Sequence, residues 1–183
     1  MEMREDYIIN TEASMVAPHF GNSGDLHSLV MESDELFFVR VRPEKLFDDN
    51  LRRNGTSLRG AADGAKQMIG SSTMAPVVFN KKHKMYWTPT MSPQSPYCVW
   101  LAVSHILKYE EKGKHATMVH MRNGSKIEVA CSLYRFKQRM QRAYSLQSII
   151  ENQSKHLLKP AKICTQRFYI RKNHKGVNYD LDE

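Results

Sequence analysis

Residues that could carry out catalysis are few and scattered in this sequence. Eight histidines are spread along the chain, and His115 and His120 lie five residues apart, with no carboxylate or thiol at metal-ligand spacing. The three cysteines, Cys98, Cys131 and Cys164, occur singly, so the CxxC pairs of zinc ribbons and thioredoxin-like proteins are absent. We interpret these cysteines as idle, buried thiols.

Carboxylates are just as sparse in the central part of the chain. Between residues 52 and 175 the acidic side chains are Asp63, Glu110, Glu111, Glu128 and Glu151. Paired-carboxylate catalysis needs two such groups close together, and no hydrolase or metalloprotease motif accompanies them. We therefore predict a protein that is not an enzyme and that needs no cofactor or metal.

One segment has the glycine spacing of a phosphate-binding loop. Gly55 and Gly60 are separated by four residues, but Ala61 and Ala62 follow where that motif has Lys and Ser or Thr. Because no lysine can reach the terminal phosphates of a nucleotide, we interpret the segment as a glycine-rich turn. A backbone contact to a DNA phosphate is the alternative.

The distribution of charged residues along the chain is the clearest indication of what this protein binds. The net charge is +8, but residues 1–51 have a net charge of −7, whereas residues 52–175 have a net charge of +18. A basic body between acidic ends is the charge pattern of a protein that binds a polyanion. We hypothesise that the acidic ends fold back over the basic body and weaken non-specific binding.

Most of these cations lie in or beside predicted turns, from which side chains can follow phosphates without insertion of a helix. The residues that we expect to contact DNA are Lys81, Lys82, Lys84, Lys112, Lys114, His115, Arg122 and Lys126. Second choices are Arg52, Arg53 and Arg59. The helical row Arg135, Arg139 and Arg142 is interpreted as a solvent face, because no helix-turn-helix pair precedes it.

The elements that position these cations are mainly strands. Enrichment in β-branched and aromatic residues predicts strands over 35–42, 76–79, 84–88, 99–107, 116–121 and 126–130. Asn123-Gly124 between two of them predicts a type I′ hairpin, in which both central residues have positive φ.

Helices are fewer. We predict a short helix over 44–53 after Pro43 and a weak helical turn over 61–70. Ser132 is expected to cap a helix that runs to about Glu151, with Leu133, Phe136, Met140 and Tyr144 on one face. The pattern predicts an α+β fold, a single strand-rich antiparallel domain with a C-terminal helix.

Several short motifs also follow one another in a fixed order. They are Gly55-x-Ser57-x-x-Gly60, Ala75-Pro76-Val-Val, Met85-Tyr-Trp-Thr-Pro89-Thr-Met-Ser92, Cys98-x-Trp100-Leu and Lys108-Tyr109. This ordered set, over roughly residues 29–150, resembles the competence transcription factor (ComK) family. The family has basic residues where Ala61 and Ala62 stand, which moves a DNA contact there to Arg59 or Lys66.

The resemblance implies a transcriptional activator that binds A/T-rich promoter boxes in duplex DNA as a dimer or higher assembly. The minor groove is implied, where groove width and inserted Arg or Lys matter more than a base code. The resemblance also implies binding of a protease adaptor through Phe168, Tyr169 and Ile170, although Arg171 replaces the family's proline. A buried edge strand is the alternative for that segment.

A second resemblance concerns residues 100–133, which are similar to the first half of a LytTR-type DNA-binding domain. It implies a β-rich fold that contacts DNA through loops, here through Lys112, Lys114 and His115.

Because the N-terminus lacks a basic start and an apolar run, we expect a cytoplasmic protein without a membrane association.

These observations predict three regions: an acidic N-terminal extension (1–28), a ComK-like DNA-binding domain (29–159) and a C-terminal tail (160–183). The predicted function is sequence-specific, DNA-binding activation of competence-type genes. Two alternatives stay open. They are an RNA-binding protein, and a non-catalytic protein-interaction module in a diverged paralogue.

Overall fold

The protein is described by a computed structural model for residues 1–70, 73–157, 169–172 and 179–182. It consists of two compact units, Met1–Asn152 and Gln153–Glu183. The first unit contains two hydrophobic cores, described below, and nearly all of the cations considered above. The second contains the end of the last helix and a pair of short antiparallel strands.

A seven-stranded sheet organises the first unit. Its strands are β1 (Met3–Arg4), β2 (Ala13–Phe20), β3 (Leu26–Glu32), β4 (Glu35–Val39), β5 (Val77–Asn80), β6 (Met85–Pro89) and β7 (Trp100–Ala102). The strand order is β1-β4-β3-β2-β7-β6-β5, and every pairing is antiparallel except the parallel pairing of β1 with β4. The sequence prediction of an α+β, antiparallel-dominated fold is confirmed.

The acidic N-terminal residues belong to this sheet. β2 lies between β3 and β7, with Val16 paired to Val30 on one side and to Trp100 on the other. Residues 1–28, expected as an extension, instead contain β1, β2 and the start of β3. The reason is that Ala13–Val16 are buried and complete the core, which outweighs the acidic composition around them.

Two helices follow β4. α1 (Pro43–Arg53) begins at a proline, as predicted, and buries Leu46, Phe47 and Leu51. α2 (Leu58–Ile69) is a full helix, so the expected weak turn over 61–70 is wrong. Two side-chain caps at its first turn, one of them from α1, explain the difference.

The start of α2 is capped twice. The Ser57 hydroxyl accepts a hydrogen bond from the Gly60 N–H (3.0 Å), and the Asp48 carboxylate accepts one from the Leu58 N–H (2.8 Å). A Cβ atom at Gly60 would lie 2.9 Å from Thr56 Oγ1, which explains this glycine. The glycine-rich segment is thus a helix start whose first amides are used within the protein.

The two faces of the sheet bury separate cores. Along β2, Val16 points to the side of α1, and Met15 points to the opposite side; Trp100 and Leu101 of β7 divide in the same way. The first core centres on Phe47, whose ring stacks on Trp100 at 4.2 Å and meets Trp87 edge-on at 5.3 Å. Such ring pairs add stabilisation beyond their buried area.

The second core is covered by a three-stranded sheet and a long helix. After β7 a 3₁₀ turn (Val103–His105) leads into β8 (Ile106–Gly113), β9 (Ala116–Met121) and β10 (Lys126–Val129), in the order β10-β9-β8. The helix α3 (Leu133–Leu157) then packs on the second core through Phe136, Met140, Ala143, Leu146 and Ile150.

The hairpin between β9 and β10 is confirmed, but its predicted turn type is wrong. Gly124 has a φ of +88°, whereas Asn123 is not among the residues with positive φ. The Gly124 N–H donates to the Met121 carbonyl, which fits an ordinary turn followed by a left-handed glycine. The Asn123 side chain donates to the Ser33 carbonyl (2.6 Å), and this long-range contact holds it in its observed conformation.

The buried face of α3 also differs from the expectation. Tyr144, expected in the core, is 48% exposed, whereas Arg139, expected toward solvent, is 6% exposed. Arg139 follows the buried Phe136 by three residues and precedes the buried Ala143 by four, so it lies on the same face. Its guanidinium donates to Cys131 Sγ and to Met74 Sδ (3.4 Å), and no carboxylate among the described residues pairs with it.

A buried guanidinium with only sulfur acceptors is costly because desolvation of the charge is poorly offset. We therefore expect Arg139→Met to raise the free energy of unfolding by about 1 kcal/mol. Urea unfolding of the variant and of the parent checks this. Arg135→Met, on the exposed face, is the control and should change stability by less than about 0.5 kcal/mol. A destabilised Arg139→Met protein would show that the sulfur contacts outweigh the desolvation.

The second unit contains β11 (Tyr169–Lys172) and β12 (Tyr179–Asp182), paired antiparallel with Ile170 opposite Leu181. Of the predicted adaptor segment, Tyr169 and Ile170 belong to β11, and Phe168 lies outside the described residues. Cys164 also lies outside them, whereas Cys98 and Cys131 are free and buried. Burial raises the pKa of the Cys98 thiol to about 11, as expected of an unreactive thiol.

Candidate nucleic-acid interface

The turn between β5 and β6 carries one of the lysine clusters predicted from the sequence. The Asn80 side chain accepts a hydrogen bond from the His83 N–H (3.1 Å), and Lys84 adopts a φ of +53°. Lys84 Nζ lies 3.3 Å from the Glu151 carboxylate. Lys81 and Lys82 are exposed, and neither has a carboxylate within ion-pair distance in the described part of the chain.

The turn between β8 and β9 carries the next group. Lys112 Nζ is 2.6 Å from the Glu128 carboxylate on β10, so its charge is largely compensated. Lys114 and His115 form the tip of the turn and are exposed. No ion pair involves either of them within the described ranges. Lys114 is therefore the cation that this turn leaves available to an external anion.

The turn between β9 and β10 is docked onto the protein. Arg122 Nε donates to the Ser104 carbonyl (2.8 Å), and the Arg122 N–H donates to the His105 carbonyl (2.8 Å). Lys126 is exposed and lies opposite His120 in the pairing of β10 with β9. The Arg122 side chain thus anchors the turn to the 3₁₀ segment, a role that its sequence position did not indicate.

The second-choice arginines are all paired. Arg52 lies 2.6 Å from Asp48, Arg53 contacts Asp6, and Arg59 lies 3.8 Å from Asp63. The hydrogen bond from Arg52, together with that from the Leu58 N–H, lowers the pKa of the Asp48 carboxyl group. Arg53 meets a residue 47 positions earlier in the chain, so acidic N-terminal residues compensate part of the charge on α1.

The outer face of the three-stranded sheet has mixed charge. Lys108, Lys112 and Lys126 share this face with Glu110 and Glu128. His120 Nε2 lies 2.8 Å from Glu110, and this hydrogen bond, with the nearby Lys108, lowers the pKa of the Glu110 carboxyl group. Because cations and carboxylates alternate, this face is a weaker candidate for a polyanion than the turns are.

The predicted residues do not form one compact cluster. Lys114 and Arg122 lie at opposite ends of β9, which is six residues long and spans about 17 Å. Lys81 and Lys82 extend from an edge of the large sheet, on the hairpin of β5 and β6. The candidate surface is thus a set of separate exposed turns, as an extended ligand would need.

A cleft between α1 and α2 is a further concave feature. It has a volume of about 740 Å³ and is lined by cations and carboxylates, among them Arg42, Lys45, Asp48, Arg59, Asp63 and Lys66. Asp63 lies within 4 Å of both Arg59 and Lys66. The balance of charges gives this cleft little preference for an anion.

The sequence analysis interprets the arginines of α3 only as a solvent face, but several basic residues of this helix also lack an ionic partner among the described residues. Arg135 and Lys137 are exposed and Arg142 is half-buried, and none has a carboxylate within ion-pair distance in the described segments. The sequence already indicates this lack of ionic partners along the helix, since no Asp or Glu occurs between Glu128 and Glu151. Such an acid-free stretch is unusual for a solvent face, where both charges are ordinarily mixed.

The fold and these surfaces define a small α+β protein whose exposed turns and last helix carry uncompensated cations. The family model described as ComK protein matches residues 4–155, and the chain therefore belongs to the ComK family. This confirms the resemblance found in the sequence.

The chain is 24% identical over 152 residues to a competence transcription factor from Bacillus subtilis (strain 168), covering 83% of this chain and 79% of the relative. No solved structure matches the chain, so the similarity to LytTR-type domains stays a prediction. No helix in the described residues has the length and apolarity needed to cross a membrane.

Proposed function

We propose that this protein is a non-enzymatic transcriptional regulator of the competence type that binds duplex DNA. Membership of the ComK family and the similarity to a competence transcription factor support this function. The observation that carries DNA as the ligand is the set of uncompensated cations at exposed turns, Lys81, Lys82 and Lys114. Phosphates of a duplex are the extended polyanion that such separate points can contact.

The predicted contact residues then divide by role. Lys81, Lys82, Lys114 and His115 make the direct contacts, and Lys126 lies where it can contribute. Lys84 and Lys112 would have to exchange their partners Glu151 and Glu128 for phosphates, so each contributes less. Arg122 supports its turn, and the paired arginines Arg52, Arg53 and Arg59 contribute little.

We further propose that the preferred target is an A/T-rich promoter box, read in the minor groove by an assembly of two or more copies. The minor groove is too narrow to admit a helix, whereas single lysine side chains at the tip of a hairpin can approach it. Fluorescence anisotropy on an A/T-box duplex and a G/C-rich duplex, at several salt concentrations, tests this. Tighter A/T binding that survives moderate salt supports it, and equal, steeply salt-dependent binding contradicts the sequence preference.

The lysine tip is tested by the double variant Lys81→Ala and Lys82→Ala. We expect it to weaken binding to both duplexes about equally and to reduce the slope of log K against log salt by about two, one per lost phosphate contact. Arg40→Ala with Lys45→Ala removes the same charge, but Arg40 and Lys45 pair with Glu5 and Asp49. This control should leave the slope unchanged; equal slopes in the parent and the Lys81/Lys82 variant would exclude the tip.

The same titration separates the alternatives. An RNA-binding protein would prefer a single-stranded RNA to either duplex, and a protein-interaction module would bind both duplexes weakly.

We also propose that the segment Phe168, Tyr169 and Ile170 binds an adaptor of a regulatory protease. Alanine substitution of all three should lengthen the lifetime of the protein in cells without changing its DNA affinity in solution.

A further inference from the structure

One flank of α3 carries a row of polar side chains that we call the basic stripe: Arg135, Gln138, Arg142 and Ser145. Their spacing of three, four and three residues places them along one side of a helix. Arg135, Gln138 and Ser145 are exposed, and Arg142 is half-buried. The buried residues Phe136, Met140 and Ala143 fix the rotation of α3 and place the stripe on a flank of the helix, beside the end of α2.

The charge of the stripe is not compensated. From Ala130 to Ile150 the sequence contains no Asp or Glu, and the flanking Lys137 adds a further exposed cation. In the described part of the chain, no carboxylate lies within 4 Å of Arg135, Lys137 or Arg142. The arginines of α1 and α2 differ in this respect, since Arg52 and Arg59 are each paired to an aspartate four residues away.

The shape beside Arg142 suits a phosphate group. A shallow groove of about 300 Å³ lies between Ile69 at the end of α2 and the stripe, lined by Gln138, Gln141, Arg142 and Ser145. Amide, hydroxyl and guanidinium groups all donate hydrogen bonds to phosphate oxygens. A groove lined by these donors and a single apolar side chain lacks the apolar centre that a protein partner would bury.

The spacing along the helix also fits a nucleic-acid backbone. Arg135 and Arg142 are separated by two turns, or about 10 Å at about 1.5 Å per residue. The two guanidinium groups are therefore far enough apart to contact different phosphates of a duplex. A planar guanidinium can bind one phosphate in a bidentate manner, which a lysine cannot.

We propose that the basic stripe of α3 is a second DNA contact surface, which binds the phosphate backbone through Arg135 and Arg142. This inference rests on the proposed function, because it names a further part of the DNA-binding surface. It adds phosphate contacts outside the hairpin turns and so raises affinity for every sequence equally. Recognition of particular boxes stays with the turns.

The test is the double variant Arg135→Gln and Arg142→Gln in the full chain, titrated on the A/T-box and G/C-rich duplexes at several salt concentrations. We expect the slope of log K against log salt to fall by about two on both duplexes, with the ratio of the two affinities unchanged. Arg135→Lys with Arg142→Lys keeps the charges and should keep most of the slope. Arg40→Gln with Lys45→Gln, equal in charge change but paired to Glu5 and Asp49, should leave it unaltered.

Circular dichroism melting of each variant shows whether α3 remains folded, as substitutions at exposed sites predict. If the parent binds duplexes and the Arg135/Arg142 variant keeps its slope, the inference is overturned and the proposed function stands. If the slope falls equally in the Arg40/Lys45 control, the effect is one of net charge, and the stripe is again excluded. A parent that binds neither duplex overturns both proposals, whatever the variants do.

Discussion

Replacing Phe47 by alanine is expected to lower the free energy of unfolding by about 4 kcal/mol, the cost of removing a fully buried aromatic ring. Phe47 is 0% exposed and contacts Phe79, Trp87 and Trp100 through its ring. It connects α1 to β5, β6 and β7, three neighbouring strands of the large sheet. Since small domains are stable by only about 5–15 kcal/mol, this substitution removes a large share of the total.

Tryptophan fluorescence during urea unfolding measures the effect, because Trp87 and Trp100 both report on this cluster. Phe47→Leu, which fills more of the cavity, should cost clearly less and keeps the comparison measurable if the alanine variant does not fold. Phe20→Ala is the matched control, since Phe20 is 47% exposed, and it should cost less than about 1 kcal/mol. Similar losses for Phe47→Ala and Phe20→Ala would contradict the role given to the ring cluster.

Asn50→Ala is expected to cost about 3 kcal/mol, because the amide joins the N-terminal segment to α1 in the interior. The side-chain oxygen Oδ1 of Asn50 accepts a hydrogen bond from the Ile9 N–H (2.9 Å). The side-chain Nδ2 of Asn50 donates to the backbone carbonyls of Tyr7 (3.0 Å) and Leu46 (2.9 Å). Asn50 is 3% exposed, so water cannot replace these bonds without opening the structure. Buried backbone groups that lose a partner are strongly destabilising.

Urea unfolding gives the total cost, and limited proteolysis within the first twelve residues shows whether the segment detaches. Asn54→Ala, one turn later, is the control: its side chain is exposed apart from a long hydrogen bond (3.3 Å) to the Asn50 carbonyl. We expect that variant to lose less than about 0.5 kcal/mol. Equal losses for both asparagines would mean that the buried bonds of Asn50 carry no special weight.

Local patterns account for the parts of the fold that were predicted correctly. The strands around the Lys81–Lys84 turn, the β9–β10 hairpin, α1 after Pro43 and the helix after Ser132 all depend on neighbours within a few residues. The predictions that failed depend on distant contacts. α2 is a full helix partly because Asp48, ten residues before Leu58, caps it, and Asn123 is held by Ser33, 90 residues earlier.

For the interface, the sequence by itself determined that cations are concentrated after residue 51 and that many of them fall at turns, because charge and turn propensity are properties of single residues and their neighbours. It also contained the acid-free stretch of α3. Only the tertiary structure decided which cations are uncompensated, because ion pairs such as Arg53 with Asp6 and Lys112 with Glu128 join residues 47 and 16 positions apart. Burial of Arg139 depends likewise on how α3 is rotated against the sheet, which is settled by packing across the whole core rather than by any local pattern.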